Sequence, residues 1–182
     1  MHAHTWDAAH NDILSVWNDL NVGVYLCNQI LASNPSAQQA AEAKTIRAYL
    51  MYHIIDFFGQ VPFREVDQGV DEHPVVWSRS DAFDFAVGEL ESSISELPDG
   101  GPDVEDPTQV SKAFVHALLA KFYMNKAVYK SDNPAGPYNF DASDMNKVIE
   151  HCDAVQSYGY DYEENYFDNF NQNSRKEKIL TF

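Results

Sequence analysis

Residues 41–63 read AEAKTIRAYLMYHIIDFFGQVPF. Ala43, Ile46, Leu50, Ile54 and Phe57 recur at three- and four-residue steps, the period of a helix with one apolar side. Gly59 follows as a helix-ending glycine and Pro62 lies shortly beyond, so the helix stops near Phe58 and Val61-Pro62-Phe63 runs extended. Upstream the same helix begins near Ala37, after Asn34-Pro35 has closed the one before it, because a residue preceding proline is pushed out of the helical region.

The same period governs the flanking sequence. Ile13, Val16, Trp17, Leu20, Val24, Cys27 and Leu31 mark a first helix over 11–31. Residues 60–76 read as a connection. Ser78 with Asp81 forms a capping box for a third helix, whose face is Phe83, Val87, Leu90, Ile94 and Leu97. A Pro/Gly loop over 98–102 ends it. A fourth helix spans Ser111 to about Tyr129, and its small residues Ala113, Ala117 and Ala120 admit a close neighbour. Asp141 with Asp144 offers another box, opening a fifth helix with Met145, Val148, Ile149, Cys152 and Val155 on one face and Gly159 at its end. The tail over 160–178 is aromatic and irregular, and Ile179-Leu-Thr-Phe182 reads as a strand without a partner. Turn-linked helices predict an all-α fold of antiparallel helical hairpins, tetratricopeptide-like and with little strand, although no clean repeat period is present.

Composition narrows the function. The chain has 182 residues, a net charge of −16 and 13% aromatic residues, which suits one folded unit over residues 1–182 rather than a disordered acidic tail. The 12 Lys and Arg form no basic stripe, so nucleic acid and anionic lipid are not expected partners. Cys27 and Cys152 both fall on apolar helix faces and read as buried thiols. No transmembrane segment and no leader sequence is read in the chain.

Catalytic signals are weak. Glu42, Asp56, Glu65, Asp67, Glu89 and Glu91 give many carboxylate pairs, as 28 acids must by chance, and most read as solvated faces. No nucleophile elbow or phosphate loop occurs, so the expectation is a non-catalytic protein without cofactor. His2, His4 and His10 lack metal-ligand spacing, and Asp132, Asn133, Asp141 and Asp144 fail the calcium-loop pattern; no metal is expected. Trp17, Phe83, Phe114, Phe122 and Tyr123 read as core. Trp6 and Trp77 stand outside the helical periods beside polar residues, where an indole can stack on a sugar ring; the competing reading is that each seals the start of a helix.

These phrases, in this order, resemble the SusD/RagB family of nutrient-binding outer-membrane lipoproteins of Bacteroidetes. Residues 41–63 resemble its helix and FG-x-(V/I)-P turn. Trp17 through Tyr25-Leu-Cys-Asn-Gln-Ile30 resembles the preceding helix, and Arg79-Ser-Asp-Ala-Phe83 to Leu97-Pro98 the following one. Ser111-Lys-Ala-Phe-Val-His-Ala-Leu-Leu-Ala-Lys-Phe-Tyr-Met124 resembles its A-x-x-A-L-L-A-K-x-Y-L helix, with Gln109-Val110 where the family carries Gly-Arg. Val148 to Tyr160 and Glu177-Lys-Ile-Leu-Thr-Phe182 resemble the closing pattern.

The resemblance implies the N-terminal helical half of a longer protein, with the signal and lipid segment and the C-terminal half outside this chain. It further implies a glycan or other nutrient as ligand, an outward-facing place on the cell outer membrane, and a SusC-like TonB-dependent transporter as partner. Membrane contact would run only through the lipid anchor. No family binding residue transfers by motif, so Trp6 and Trp77 remain candidates on their own chemistry. The rival function is a helical protein–protein interaction scaffold with no small-molecule ligand.

Overall fold

A computed structural model describes residues 6, 7, 9–69, 71–133, 135–171 and 174–179. Five helices carry the fold: α1 (Asn11–Ala32), α2 (Ala37–Phe58), α3 (Arg79–Ser93), α4 (Lys112–Tyr129) and α5 (Ala142–Ser157). Short 3-10 turns follow α3 at Ile94–Glu96 and α5 at Tyr166–Phe170. Between α2 and α3, strands β1 (Gln60–Phe63) and β2 (Val75–Ser78) pair antiparallel, Val61 opposite Trp77 and Phe63 opposite Val75. Each helix packs on the next in sequence, and α2 also touches β1 and α4. The prediction of an all-α fold of helical hairpins with little strand holds.

Local chemistry sets the boundaries. Ser36 and Gln39 cap α2 reciprocally, side chain to backbone in both directions. At its other end Gly59 takes φ 74°, a left-handed conformation open to glycine, and its N–H closes the last turn on Ile54 and Ile55. Ser78 and Ser111 accept the N–H groups of Asp81 and Phe114 to start α3 and α4. Gly23 lets α1 approach α2: a Cβ there would stand 2.7 Å from Leu50 Cδ1.

The core is continuous from α1 to α4. Met51, Ile54, Ile55, Val61, Leu90, Val115, Leu119 and Phe122 are fully enclosed, and Phe122 meets Tyr52 and Phe83 edge-on at 5.1 and 5.5 Å. The other aromatics read as core join it: Phe83 and Tyr123 are buried, while Trp17 and Phe114 are half-buried against it. On α2 the expected face is too narrow. Ile46 and Phe57 are exposed, whereas Ala41, Ala48, Met51 and Ile55 are buried, because neighbours enclose this helix on more than one side. On α5 Ile149 and Cys152 are exposed, since that helix leans on α4 alone among the helices. Cys152 is thus no buried thiol; Cys27 is, and burial pushes its pKa up to about 11.

Two further expectations need correction. The 60–76 connection is in part a hairpin: β1 pairs with β2, and Val61 and Phe63 on one side of β1 are buried. Asp144 does not complete a capping box: Asp141 caps α5 through Ser143 N–H, and Asp144 is buried against Lys126 Nζ at 2.7 Å. Residues 180–182 of the expected terminal strand, and His2 and His4, lie outside the described residues; Ile179 stands in a bend.

This packing predicts that Phe122→Ala lowers unfolding free energy in urea by about 3–5 kcal/mol, whereas Ile149→Ala changes it by less than about 0.5 kcal/mol.

Candidate functional site

One partly polar recess is shaped by residues from α1 and the hairpin. Trp17, Asn21, Val24, Tyr25 and Asn28 form one wall, and Pro62, Arg64 and Pro74 the other, around about 260 Å³. Four of the α1 positions, Trp17, Asn21, Val24 and Asn28, repeat at helical spacing, so one face of α1 supplies them. Trp17 is fixed by an edge contact with Phe58 at 4.9 Å, and Asn21 Nδ2 donates to its carbonyl at 2.8 Å. Tyr25 is partly exposed, its hydroxyl accepting from Gln29 at 2.9 Å. Aromatic faces, amides and a guanidinium around a small concavity can stack on and hydrogen-bond a hydroxyl-rich ligand.

The floor is held by buried charge. Arg47 of α2 donates from Nε and Nη2 to both oxygens of Glu89 on α3, at 2.7 and 2.5 Å, and from Nη1 to Asn28 Oδ1 at 2.5 Å. Both charged side chains are under 10% exposed, and Phe85 lies 5.2 Å from the guanidinium carbon. Asn28 then donates to the Arg64 carbonyl at 3.3 Å. Arg64 in turn donates from Nη1 to the carbonyls of Gly69, at 2.7 Å, and Glu72, folding the hairpin loop back on itself. Glu89 is therefore not a solvated carboxylate. Nor are Asp56 and Glu91 idle, since they accept the hydroxyls of Tyr129 and Tyr123.

Two other features lie across the molecule. A groove of about 350 Å³ runs between α4, α5 and the tail, lined in part by Ala117, Ala120, Met124, Val155 and Tyr162. Beside it, His116 and His151 meet Nδ1 to Nδ1 at 2.9 Å. Burial holds both imidazoles below 6.5, and His116 and Lys147 lower His151 further.

Comparison with solved structures identifies the architecture. The chain matches a crystal structure determined with xylogluco-oligosaccharide at a TM-score of 0.79 and 19% identity, over 96% of this chain and 36% of that one. The fold is SusD-like. A SusD homologue from Bacteroides thetaiotaomicron matches at 0.71 and 17% identity, over 91% and 33% of the two chains. A laminarin-binding SusD-like protein matches at 0.68 and 20% identity, over 86% and 34%. The chain thus spans about a third of the length of these structures. No family model and no curated protein matches the sequence.

Within this SusD-like helical unit neither candidate tryptophan lines the recess. Trp6 is 46% exposed ahead of α1. Trp77 stacks on Phe63 at 3.6 Å and 11°, with Phe85 at 5.1 Å, so one indole face is taken by packing. Its partner in β1 is Val61, which faces the core, whereas the recess is built on Pro62, on the opposite side of the strand. Sequence reasoning missed Tyr25, Asn21 and Arg64. The pattern Trp17, Asn21, Asn28 places polar groups on an otherwise apolar helix face, and that was the available signal. Among the described residues no group of three or more metal-ligating side chains occurs.

Two outcomes follow. Glu89→Leu, which strands the Arg47 charge, lowers stability by about 3–5 kcal/mol, and adding Arg47→Met restores most of it, measured by urea unfolding. The histidine pair, with pKa values below the unfolded 6.5, contributes stability fully present above pH 6.5 and lost as pH falls below it. Thermal melts of His151→Gln therefore show a shallower loss between pH 7 and 5 than the parent.

Proposed function

We propose that this SusD-like unit binds a glycan non-catalytically, with the α1–hairpin recess as the contact site. The observation that carries the reading is the lining itself: Trp17 and Tyr25 beside Asn21, Asn28 and Arg64, around a cavity sized for one or two sugar rings. Two of the matched structures are described with xylogluco-oligosaccharide and laminarin, which supports the same ligand class. In the longer protein implied by the family resemblance, this half would stand on the outer face of the outer membrane, held by a lipid anchor, and pass the glycan to a SusC-like TonB-dependent transporter. No helix among the described residues is long and apolar enough to cross a membrane. Trp6 enters the proposal as a separate exposed stacking ring ahead of α1, outside the recess lining, and Trp77 as the ring that supports the hairpin.

The alternative of a protein-binding scaffold is favoured by one observation, the apolar groove between α4, α5 and the tail. Calorimetric titration with xylogluco-, laminari-, cello- and malto-oligosaccharides separates the two. Saturable binding is expected to weaken about five- to tenfold in Tyr25→Ala, the loss of one stacking contact, with no change in melting temperature. Trp6→Ala weakens binding, while Trp77→Ala lowers Tm. Absence of binding to every oligosaccharide overturns the glycan reading, and release of reducing sugar from any of them overturns the non-catalytic one.

A further inference from the structure

The charges around the recess point to the kind of glycan it accepts, an inference that rests on the glycan reading above. Arg64 is the one charged side chain in the lining, and Nη1 of its guanidinium already donates to the Gly69 and Glu72 carbonyls. The loop held by those bonds carries Glu65, Asp67, Asp71 and Glu72, all exposed. Gln68 ties that loop further, accepting from Glu65 N–H at 2.9 Å and donating to the Glu72 carboxylate at 3.3 Å. Four exposed carboxylates thus stand on the loop between Arg64 and Pro74, two residues of the recess lining, against one cation in that lining.

The wider molecule has the same sign, with a net charge of −16. Like charge disfavours an approaching anion over about 10 Å at moderate salt, while stacking and hydroxyl hydrogen bonds are insensitive to it. We infer that the recess selects neutral glycans and that the carboxylate-bearing loop rejects uronic-acid or sulfated ones.

Matched probes test this on the full chain: the neutral oligosaccharides above, and the same oligosaccharides oxidised at C6 to uronates. At 20 mM salt the parent is expected to prefer the neutral form about tenfold or more, and at 500 mM salt this preference falls to about threefold or less. Replacing the four carboxylates together (Glu65→Gln, Asp67→Asn, Asp71→Asn, Glu72→Gln) leaves neutral binding within twofold and abolishes most of the preference. The Arg64 bonds survive that change because they use backbone carbonyls. Circular dichroism of the variant verifies that it is folded. Equal or tighter binding of the oxidised probe by the parent overturns the inference while leaving the glycan reading intact, as does a preference that neither salt nor the variant reduces. No binding of either form overturns both.

Discussion

A single buried ion pair fixes the geometry of everything near the recess. Removing Arg47 and Glu89 from water is unfavourable by several kcal/mol per charge, and attraction between them offsets that only when the geometry is good and the remaining donors are satisfied. Here the guanidinium fork meets both carboxylate oxygens, and its third donating nitrogen meets Asn28. The constraint therefore extends beyond the pair. It ties α2 to α3 directly, to α1 through Asn28, and to the hairpin through the Arg64 carbonyl. A shift of any one of these elements would leave a charge or amide unpaired in the interior, so the four are held in one arrangement rather than in several similar ones.

That arrangement is what makes a concave surface from a helix and a hairpin. Hydrophobic packing alone is non-directional and would let α1 slide over α2; the near contact at Gly23 and the amide at Asn28 set where it stops. The hairpin is pinned on two sides. Phe63 and Trp77 stack toward α3 on the core side, while Arg64 gathers its own loop above the recess. Trp77 thus matters to the recess as a support, by holding the strand whose opposite face carries Pro62.

The helices were legible because helix boundaries are local chemistry. Ser36, Gly59, Ser78 and Ser111 act through neighbours a few residues away, and each stands at the boundary that the sequence indicated. The site was not legible to the same degree because its parts are distant in the chain. Arg47 and Glu89 are 42 residues apart, and nothing in either segment marks one carboxylate among 28 as buried. The α5 face misled for a related reason. Periodicity reports which side of a helix is apolar, not whether a neighbour covers it, and Ile149 and Cys152 remain exposed. Trp77 shows the converse: polar neighbours in sequence suggested an open ring, but strand pairing turned it toward Phe63.

A recess of about 260 Å³ has room for a short stretch of a polymer. Binding energy grows with the surface that stacks and the donors that are matched, less the cost of ordering the ligand. A small, mostly uncharged site therefore limits affinity, and affinity differences among related complexes lie mainly in the off-rate. Release stays fast. A repeating glycan compensates at the encounter stage, since every repeat along it is an equivalent target and rebinding occurs at high local concentration. Strong charge pairing would reverse this balance by slowing release, and the carboxylates on the hairpin loop keep such pairing with an anionic polymer out of the site.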